Sequence, residues 1–419
     1  MTEGGYKFSM KILFSHNNFP GQYRRLMGYI EGMKDVQAAT ITLASNKNSF
    51  SIPRVPFKPH REPNKKGIHP AVVGVERAVL MGQAAYKSLL DMKKKNGAPD
   101  IILAHSGWGA GMFFKDVFPD AKLLNYYEWY YHCHGGDGEF IERKRYDANA
   151  EIRIRMKNTP ILHDLAAQDW GQCPTLFQKS RFPDLFQSHI SVLHDGVDID
   201  FFSPKRGTSV KVGDKILTEN DEIITYVARG MEDYRGFPQF MEAVSKLQKY
   251  RPNLHVVILG ADRIAYGNQL PSGKGLKEPM LEKFEYDRSR LHFMGLQPLE
   301  VLRDLFRITS AHIYLTAPFV LSWSMLEAMS TGVLVVGSDT EPVRELIRDN
   351  ENGLLVDFWH VDALVERMVS VLENPTEFEH LKLSARNRIV NHYAKDDLLP
   401  KYWQMITDVA EGRKPSLKP

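Results

Sequence analysis

Short apolar runs alternate with amphipathic segments along most of the chain. Apolar runs of four to eight residues are typical of buried strands, and apolar residues repeating every three to four positions are typical of helices. The predicted strands are 11–15, 100–105, 122–126, 190–193, 223–227, 255–260, 291–294, 312–315 and 333–336. The predicted helices are 22–32, 70–95, 139–157, 237–250, 322–331, 359–373, 376–392 and 395–411.

This alternation predicts an α/β fold with parallel sheets, because a parallel strand pair needs a crossover that is usually helical. A chain of 419 residues is too long for one typical core and suits two domains. We predict a loose N-terminal extension, a first domain, a second domain and a final helix that returns to the first domain. Their respective bounds are 1–9, 10–205, 206–394 and 395–411.

Residues 312–336 read as strand, turn, helix and strand. Ser322 is a good N-cap and Gly332 a good helix end. The N–H groups at such a helix start favour an anion such as diphosphate. Glu327, further along the helix, can accept hydrogen bonds from the paired hydroxyls of a ribose. The alternative is an ordinary α/β unit with a solvated glutamate.

Arginines flank a tight loop after the strand at 223–227. Arg229 and Arg235 stay charged at any relevant pH and can bind phosphate in a bidentate way. The alternative is a pair of exposed loop arginines.

In the first half of the chain, the first predicted strand is followed by Asn17, Asn18 and Gly21.

Two further residues, His105 and Trp108, lie where another predicted strand ends. Ligands of doubly wound sheets bind at such carboxyl ends, so we predict that these residues contact an acceptor or line a cleft. A dinucleotide site is not expected, since no GxGxxG motif is present. The histidines at 105, 132 and 134 lack the spacing of metal ligands, and we expect no metal site.

Composition indicates an ordinary globular protein, with 43% hydrophobic and 25% charged residues. The two cysteines suit a reducing compartment, and we find neither an apolar signal segment nor an apolar run long enough to span a membrane. We therefore expect a cytoplasmic protein, either free or peripheral to the inner membrane face.

The charge is uneven, and residues 1–70 hold 11 Lys or Arg against four Asp or Glu. This excess suggests an anionic partner: a phospholipid, a lipid-linked phosphate, an acidic polysaccharide or nucleic acid. The alternative is a solvated basic surface with no partner.

The sequence LSWSMLEAMSTGVLVV at 321–336, with EPVRELI at 341–347 and NGLLV at 352–356, resembles the donor-site signature of glycosyltransferase family 4 (group 1). Members of that family are retaining enzymes of the GT-B fold, in which two Rossmann-like domains face each other across a cleft. Their signature has two glutamates separated by seven residues. Glu327 matches the second, which binds the ribose, whereas Phe319 replaces the first, which contacts the donor sugar. The form PFVLSWS resembles a subgroup of the family.

The resemblance also implies roles for other residues. Arg229 and Arg235 match an Arg and a Lys of the family, and the N–H groups of Leu321, Ser322, Trp323 and Ser324 would hold the diphosphate. Gly295 and Leu296 resemble the loop that holds the base edge. The segments HNNFPGQYRRL, HSGWG and PTLFQKSRFP resemble the family's first domain.

A histidine that follows one strand in many family members is replaced here by Glu128, with His132 nearby. The resemblance implies that these two residues contact the donor sugar or the acceptor hydroxyl. The alternative for Glu128 is a carboxylate that only hydrogen-bonds the surrounding tyrosines.

Taken together, the resemblance implies a metal-independent transferase with no prosthetic group, which uses a UDP- or GDP-sugar. The acceptor would be a hydroxyl of a lipid-linked glycan or polysaccharide. The DxD sequence at Asp198–Asp200 lies in the expected linker, and we expect it to hold no metal.

Three alternatives stay open. One is a transferase that acts on a modified base in viral DNA, which would suit the basic first 70 residues. Another is an inactive glycan- or nucleotide-binding protein, which the phenylalanine at 319 would suit. The third is a GT-B epimerase or phosphorylase, although we find no cofactor-lysine motif for the latter.

Overall fold

The computed structural model describes residues 9–416, so the predicted extension at 1–9 lies outside the described residues except for Ser9. The chain divides into two compact units. Unit 1 comprises the chain up to residue 139, residues 144–196 and the chain from residue 396 onward. Unit 2 comprises residues 140–143 and 197–395.

A parallel sheet forms the centre of unit 1. Its strands are β1 (Met10–Ser15), β2 (Val36–Leu43), β3 (Arg54–Phe57), β4 (Ile101–His105), β5 (Lys122–Tyr126), β6 (Trp170–Cys173) and β7 (Ile190–Val192). They lie in the order β3-β2-β1-β4-β5-β6-β7, with every pairing parallel. The strand order reverses between β1 and β4, and ligands of such sheets bind outside the carboxyl ends at this switch point.

The helices of the first 190 residues are α1 (Arg24–Ile30), α2 (Val73–Asn96), α3 (Phe114–Val117), α4 (Asp137–Glu142), α5 (Ala148–Lys157), α6 (Thr159–Ala167), α7 (Leu176–Ser180) and α8 (Asp184–Gln187). The single helix predicted at 139–157 is wrong. Arg143 has a φ of 53°, which ends the first helix, and the Asp147 side chain accepts a hydrogen bond from Ala150 N–H to begin the second.

Residues 45–70, for which no strand was predicted, contain β3, an edge strand that pairs with β2. Pro56 lies within it, and an edge strand tolerates the missing N–H donor.

The central element of unit 2 is also a parallel sheet. A short antiparallel hairpin, β8 (Ser209–Val212) and β9 (Lys215–Thr218), precedes it. The sheet strands are β10 (Ile223–Gly230), β11 (His255–Ala261), β12 (Leu291–Gly295), β13 (Ala311–Tyr314), β14 (Leu334–Ser338) and β15 (Leu354–Val356). Their order, β12-β11-β10-β13-β14-β15, reverses between β10 and β13, so unit 2 has a switch point of the same kind.

The remaining helices are α9 (Phe237–Tyr250), α10 (Lys277–Lys283), α11 (Leu299–Ile308), α12 (Trp323–Thr331), α13 (Glu341–Arg344), α14 (Val361–Glu373), α15 (Glu379–Tyr393) and α16 (Lys395–Ala410). The predicted caps of α12 are confirmed, because the Ser322 side chain accepts from Ser324 N–H and Gly332 ends the helix at a φ of 82°. In the described part of the chain, no helix is both long and apolar enough to cross a membrane.

Helix α16 belongs to unit 1 from residue 396 onward and packs against the sheet of that unit. Its apolar face joins the buried cluster around β1, with Leu398, Tyr402, Met405 and Ile406 in contact with the side of the sheet that holds Phe14. The other face of the sheet is covered by α2 and α3, so both faces of the parallel sheet are buried, as its continuous apolar strands require.

Candidate functional site

Arg235 lies at the switch point of unit 2, in the loop that follows β10. Its side chain is buried, with the residue 5% exposed. One guanidinium nitrogen, Nη1, donates to Thr316 Oγ1 at 2.7 Å and to the Tyr314 hydroxyl at 3.4 Å. Burial alone would lower the pKa of Arg235, but Tyr314, Tyr266 and Glu232 raise it overall, so the group is a fixed cation.

The Tyr314 hydroxyl connects this cation to the start of α12. Its oxygen accepts from Ser322 N–H at 2.7 Å as well as from Arg235. Since both acceptor positions of the phenol are then used, its own O–H hydrogen can donate to an incoming anion. Burial raises the pKa of Tyr314 against the lowering influence of Arg235, so the hydroxyl stays protonated at neutral pH.

Arg229 differs from Arg235 in exposure. It lies near the end of β10 and is exposed, and its backbone carbonyl accepts from Arg263 Nε at 3.2 Å. The two arginines therefore flank one loop, as the sequence predicts, but only Arg235 is held within the unit.

The predicted phosphate-binding N–H groups lie at the start of α12, and two of them already have partners. Ser322 N–H donates to Tyr314, and Ser324 N–H donates to Ser322 Oγ at 3.4 Å. Leu321 and Trp323 are half-buried beside them. Glu327 is buried on the same helix, 5% exposed. An anion that binds Ser322 N–H at this helix start would therefore have to replace the hydrogen bond from that N–H to the Tyr314 hydroxyl.

Phe319 lies in the loop between β13 and α12 and is surrounded by aromatic rings. Its ring centroid is 5.4 Å from that of Tyr234 and 5.0 Å from that of Tyr266, both edge to face. The Arg235 guanidinium carbon lies 6.0 Å from the Phe319 centroid and 5.2 Å from that of Tyr266. The structure thus brings Phe319 and Arg235 together, within reach of a cation–π interaction.

A buried carboxylate holds the loop that carries Tyr266. Glu232 is 1% exposed, and its Oε2 accepts from the N–H groups of Ala265 and Tyr266, each at 2.8 Å. Hydrogen bonds of this kind to an ionised acceptor are stronger than neutral ones. The position of Tyr266 over Arg235 is therefore fixed from within unit 2.

Gly295 and Leu296 are at the end of β12, which is the edge strand of the unit 2 sheet. Gly295 has a φ of 65°, a conformation that favours glycine, and it turns the chain so that Leu296 is 75% exposed. Two strand positions separate them from the switch point, so the structure places them on the same edge of the sheet but not in contact with Arg235.

In unit 1 the switch point holds imidazole and indole rings. His16 directly follows β1, and His105 ends β4. The Trp108 ring stacks on His105 with a centroid distance of 4.2 Å, and His16 contacts both rings edge to face at 4.8–5.1 Å. The predicted residues His105 and Trp108 therefore lie together at the expected edge.

Glu128, after β5, joins this cluster. Its Oε2 lies 3.6 Å from His105 Nε2, and its Oε1 is 3.5 Å from Gln22 Nε2. The Gln22 oxygen in turn lies 2.7 Å from His16 Nε2. Carboxylate, amide and imidazole groups so arranged can bind and orient a hydroxyl group.

Gly21 makes room for His16. A Cβ atom on Gly21, which has a φ of +47°, would lie 2.3 Å from the His16 ring. Asn17 and Asn18 hold the preceding turn through their backbones: the Asn17 carbonyl accepts from Thr42 Oγ1 at 2.9 Å, and Asn18 N–H donates to His16 Nδ1 at 3.0 Å.

The loop after β4 is held by Asp164, a buried residue of α6. Its Oδ2 accepts from Ser106 Oγ at 2.7 Å and from Gly107 N–H at 3.0 Å. Burial raises the pKa of Asp164 to about 6, although these two hydrogen bonds lower it. This carboxyl group therefore titrates close to neutrality beneath the loop that carries Trp108.

His132 has a different partner. Its Nε2 lies 2.7 Å from the carbonyl oxygen of Arg181, and burial lowers its pKa against the raising effect of that carbonyl. The structure thus gives His132 a role in fixing the loop after β5, and it is Glu128 that reaches His105.

The described residues contain no group of three His, Cys, Asp or Glu side chains placed to hold a metal ion. Within the DxD sequence, Asp198 forms an ion pair with Lys395 at 2.5 Å. Its neighbour Val197 forms a β-bridge with Ala394. This pair holds together the two ends of the unit 2 chain.

Sequence reasoning missed several residues of these clusters. In unit 1 these are His16 and Gln22, and in unit 2 they are Glu232, Tyr234, Tyr266, Tyr314 and Thr316. The one signal that could have found them is that ligands bind outside the carboxyl ends of strands at a switch point. Each of these residues ends such a strand, follows it or lies in the loop beyond it. Which of them touch depends on loop conformations that the pattern of apolar residues does not specify.

Comparisons with known proteins bear on the family and the fold. Residues 34–202 match the family model for the glycosyl transferase family 4 group, and residues 212–388 match the model for glycosyl transferases group 1. Among solved structures, the sucrose-phosphate synthase of Thermosynechococcus elongatus is similar with a TM-score of 0.72 at 13% identity, over 96% of this chain and 99% of that one. Anabaena Alr3699/HepE in complex with UDP-glucose is similar with a TM-score of 0.67 at 13% identity, over 95% and 100%.

The matches to curated relatives cover about half of this chain. The D-inositol 3-phosphate glycosyltransferase of Mycobacteroides abscessus is 25% identical over 242 residues, 55% of this chain and 49% of that protein. The lipopolysaccharide core biosynthesis glycosyltransferase LpsE of Rhizobium meliloti is 22% identical over 199 residues, 46% of this chain and 52% of that protein. The chain spans about half the length of these relatives. The chain therefore has the α/β GT-B fold and carries a glycosyl transferase family 4 domain followed by a glycosyl transferases group 1 domain.

Proposed function

We propose that this chain is a retaining glycosyltransferase that moves a sugar from a UDP- or GDP-sugar to a hydroxyl group of a lipid-linked glycan or polysaccharide. Unit 2 binds the donor and unit 1 binds the acceptor. The observation that carries the proposal is the environment of Arg235, a buried cation at a switch point whose guanidinium donates to the Thr316 and Tyr314 hydroxyls, with the charge of Glu232 also raising its pKa.

A buried guanidinium costs several kcal/mol in lost hydration, which the attraction of Glu232 reduces and a directly hydrogen-bonded anion would reduce further. The donor diphosphate is such an anion, and it would meet Arg235, the Tyr314 hydroxyl and the start of α12 together. Negative charge on the diphosphate grows as the sugar bond breaks, so a fixed cation stabilises the transition state more than the bound donor. Exposed Arg229 would approach the same phosphates from solvent.

Further roles follow from position. Glu327 accepts hydrogen bonds from the ribose hydroxyls, and Gly295 with Leu296 covers the base. In unit 1, Glu128 and His105 orient the acceptor hydroxyl, with Asn17, Asn18, Gly21 and Trp108 shaping its pocket. We propose that a donor phosphate oxygen takes the acceptor proton and that no metal takes part.

Two known proteins support the substrate classes. HepE is described in complex with UDP-glucose, and the Mycobacteroides relative is named for D-inositol 3-phosphate, an anionic acceptor. An anionic acceptor also fits the basic first 70 residues of this chain.

A second candidate is a nucleotide-binding protein without transfer activity, which Phe319 favours because it has no polar group for a sugar hydroxyl. Titration calorimetry with UDP, GDP and ADP, followed by assays of sugar-nucleotide turnover, separates the two. We expect one diphosphate to bind and its sugar conjugate to turn over with retained anomeric configuration. Binding without any turnover or slow hydrolysis favours the second candidate, and absence of binding contradicts both.

A further inference from the structure

Three aromatic side chains form a continuous wall beside Arg235. Phe319 is the centre of this aromatic wall, with Tyr234 and Tyr266 packed against its edges at 5.4 and 5.0 Å. Phe319 is 6% exposed, whereas the two tyrosines are half-buried. A molecule bound at Arg235 therefore meets aromatic carbon on this side.

The wall is built into unit 2 rather than formed by loose side chains. Glu232 fixes the backbone of Ala265 and Tyr266 through two hydrogen bonds of 2.8 Å. The backbone carbonyl of Tyr234 accepts from Ala317 N–H at 2.9 Å, which joins its loop to the one that carries Phe319. Each ring is thus held by a backbone contact close to it in the chain.

The wall and the guanidinium are close enough to contact one sugar diphosphate. The Arg235 carbon lies 5.2 Å from the Tyr266 centroid and 6.0 Å from the Phe319 centroid. A sugar joined to a phosphate at Arg235 would therefore lie beside the aromatic wall. This step rests on the proposed function, which places the diphosphate at Arg235.

Phe319 cannot hydrogen-bond a hydroxyl group. A sugar hydroxyl pressed against it would lose its bonds to water without replacement, and such losses reduce binding about 10- to 100-fold. A C–H or methyl group in the same place gains from contact with the ring.

We infer that the aromatic wall selects a deoxy sugar, one that turns a ring edge lacking a hydroxyl group toward Phe319. The selection acts on the sugar alone, since the nucleotide and diphosphate contacts lie on other residues. Phe319 is the specificity-determining residue, Tyr234 and Tyr266 pack on its ring, and none of the three makes or breaks a bond.

The test compares matched donors. Using the nucleoside diphosphate that binds, calorimetry would measure the Kd of its glucose or mannose conjugate and of the 3-, 4- and 6-deoxy analogues. We expect one deoxy analogue to bind the wild-type protein about 10- to 100-fold more tightly than the parent sugar. A parent sugar that binds as tightly as every analogue, or more tightly, would overturn the inference, and this arm needs no variant.

Variants of Phe319 sharpen the result. Phe319→Glu should reverse the order and favour the hydroxylated parent, whereas Phe319→Leu, which stays apolar, should keep the deoxy preference. Binding of the nucleoside diphosphate without sugar should be unchanged in Phe319→Leu and weaker in Phe319→Glu, whose new carboxylate lies near Arg235, and in both variants detectable binding reports on folding. An unchanged sugar order in a Phe319→Glu protein that still binds the diphosphate would contradict the inference, whereas absence of diphosphate binding to the wild type would instead contradict the proposed function.

Discussion

The two units share one strand order over six strands, which unit 1 extends by a seventh, and they differ in the side chains at the switch point. In unit 2 the carboxyl ends of β10 and β13 present a buried cation, hydroxyls and aromatic rings around Arg235. In unit 1 the ends of β1 and β4 present two imidazoles and an indole, and Glu128 after β5 adds a carboxylate. The sheet fixes where a ligand binds, and the side chains after the strands decide which ligand it is.

The difference also extends to how each site is held. Arg235 is anchored directly by Thr316 and Tyr314, so its geometry depends on groups that do not titrate near neutrality. In unit 1 the loop with Trp108 is held by Asp164, whose pKa of about 6 makes that support depend on pH.

The largest effect is expected at the unit 2 switch point. Arg235→Ala removes the fixed cation and should lower turnover on the order of 100-fold or more. Its effect on nucleotide affinity should be smaller, because the charge matters most as the diphosphate departs. Steady-state kinetics and calorimetry would measure both. Arg348→Ala, which changes an exposed arginine whose side chain is 69% accessible, is the control. Unchanged turnover in Arg235→Ala would contradict the assignment.

The next largest effect is expected in unit 1, where Asp164 should make the free energy of unfolding depend on pH. The native pKa of Asp164, about 6, is above its ordinary value of 3.8, so the native state binds the proton more strongly than the unfolded state. The resulting stabilisation is complete below pH 4 and is lost as the pH rises to 6, on the order of 3 kcal/mol in the free energy of unfolding. In urea titrations across this range, the free energy of unfolding of the wild type should fall by this amount relative to that of Asp164→Asn.

The matched control for this titration is Asp116→Asn, which changes an exposed aspartate of α3. It should keep the wild-type pH dependence. If Asp164→Asn showed the same slope as the wild type between pH 4 and 6, the carboxyl group would not be the source.

A moderate effect is expected at α12. Glu327→Ala removes the proposed acceptor of the ribose hydroxyls and should weaken nucleoside diphosphate binding about 10- to 100-fold, since hydrogen bonds to a charged group contribute about 1.5–3 kcal/mol. The corresponding 2′,3′-dideoxy nucleotide should bind wild type and variant alike. Glu366→Ala, an exposed change on α14, is the control. An equal loss for both nucleotides would exclude the ribose contact.

The smallest effect is expected at Gln22. Gln22→Ala breaks the link between His16 and Glu128 and should raise the KM for the acceptor a few-fold, as expected for a neutral hydrogen bond of about 1 kcal/mol. The KM for the donor should be unchanged, which a merely destabilised protein would not show. Gln37→Ala, an exposed change on β2, is the control.

Much of the fold was predictable because parallel strands are continuously apolar and helices have a clear period. Helix α9 has the predicted bounds, 237–250, and the caps of α12 were identified from Ser322 and Gly332. Strands β2, β3, β6 and β15 and the hairpin β8–β9 were not predicted, since short or half-polar strands carry weak patterns. The break at Arg143 was missed because its positive φ depends on tertiary contacts.

The sequence predicted where in the fold the candidate sites lie better than it predicted which residues form them. His105 was identified because it ends a strand at the carboxyl edge, Arg235 because it flanks a tight loop after a strand, and Glu128 through the family resemblance. Tyr266 and Glu232 were not identified, because their contact with each other and with Arg235 depends on the path of the loop after β11. Loop conformation is determined by local hydrogen bonds that apolar patterning does not encode.

The most direct test of the account is a comparison of nucleotides that differ by one phosphate. Calorimetry would measure the Kd of UDP and UMP, and of GDP and GMP, for the wild-type protein. If Arg235, Tyr314 and the start of α12 form a diphosphate site, one diphosphate should bind at least tenfold more tightly than its monophosphate, with one site per chain. Equal affinities for the members of each pair, or no binding of any of them, would contradict the account.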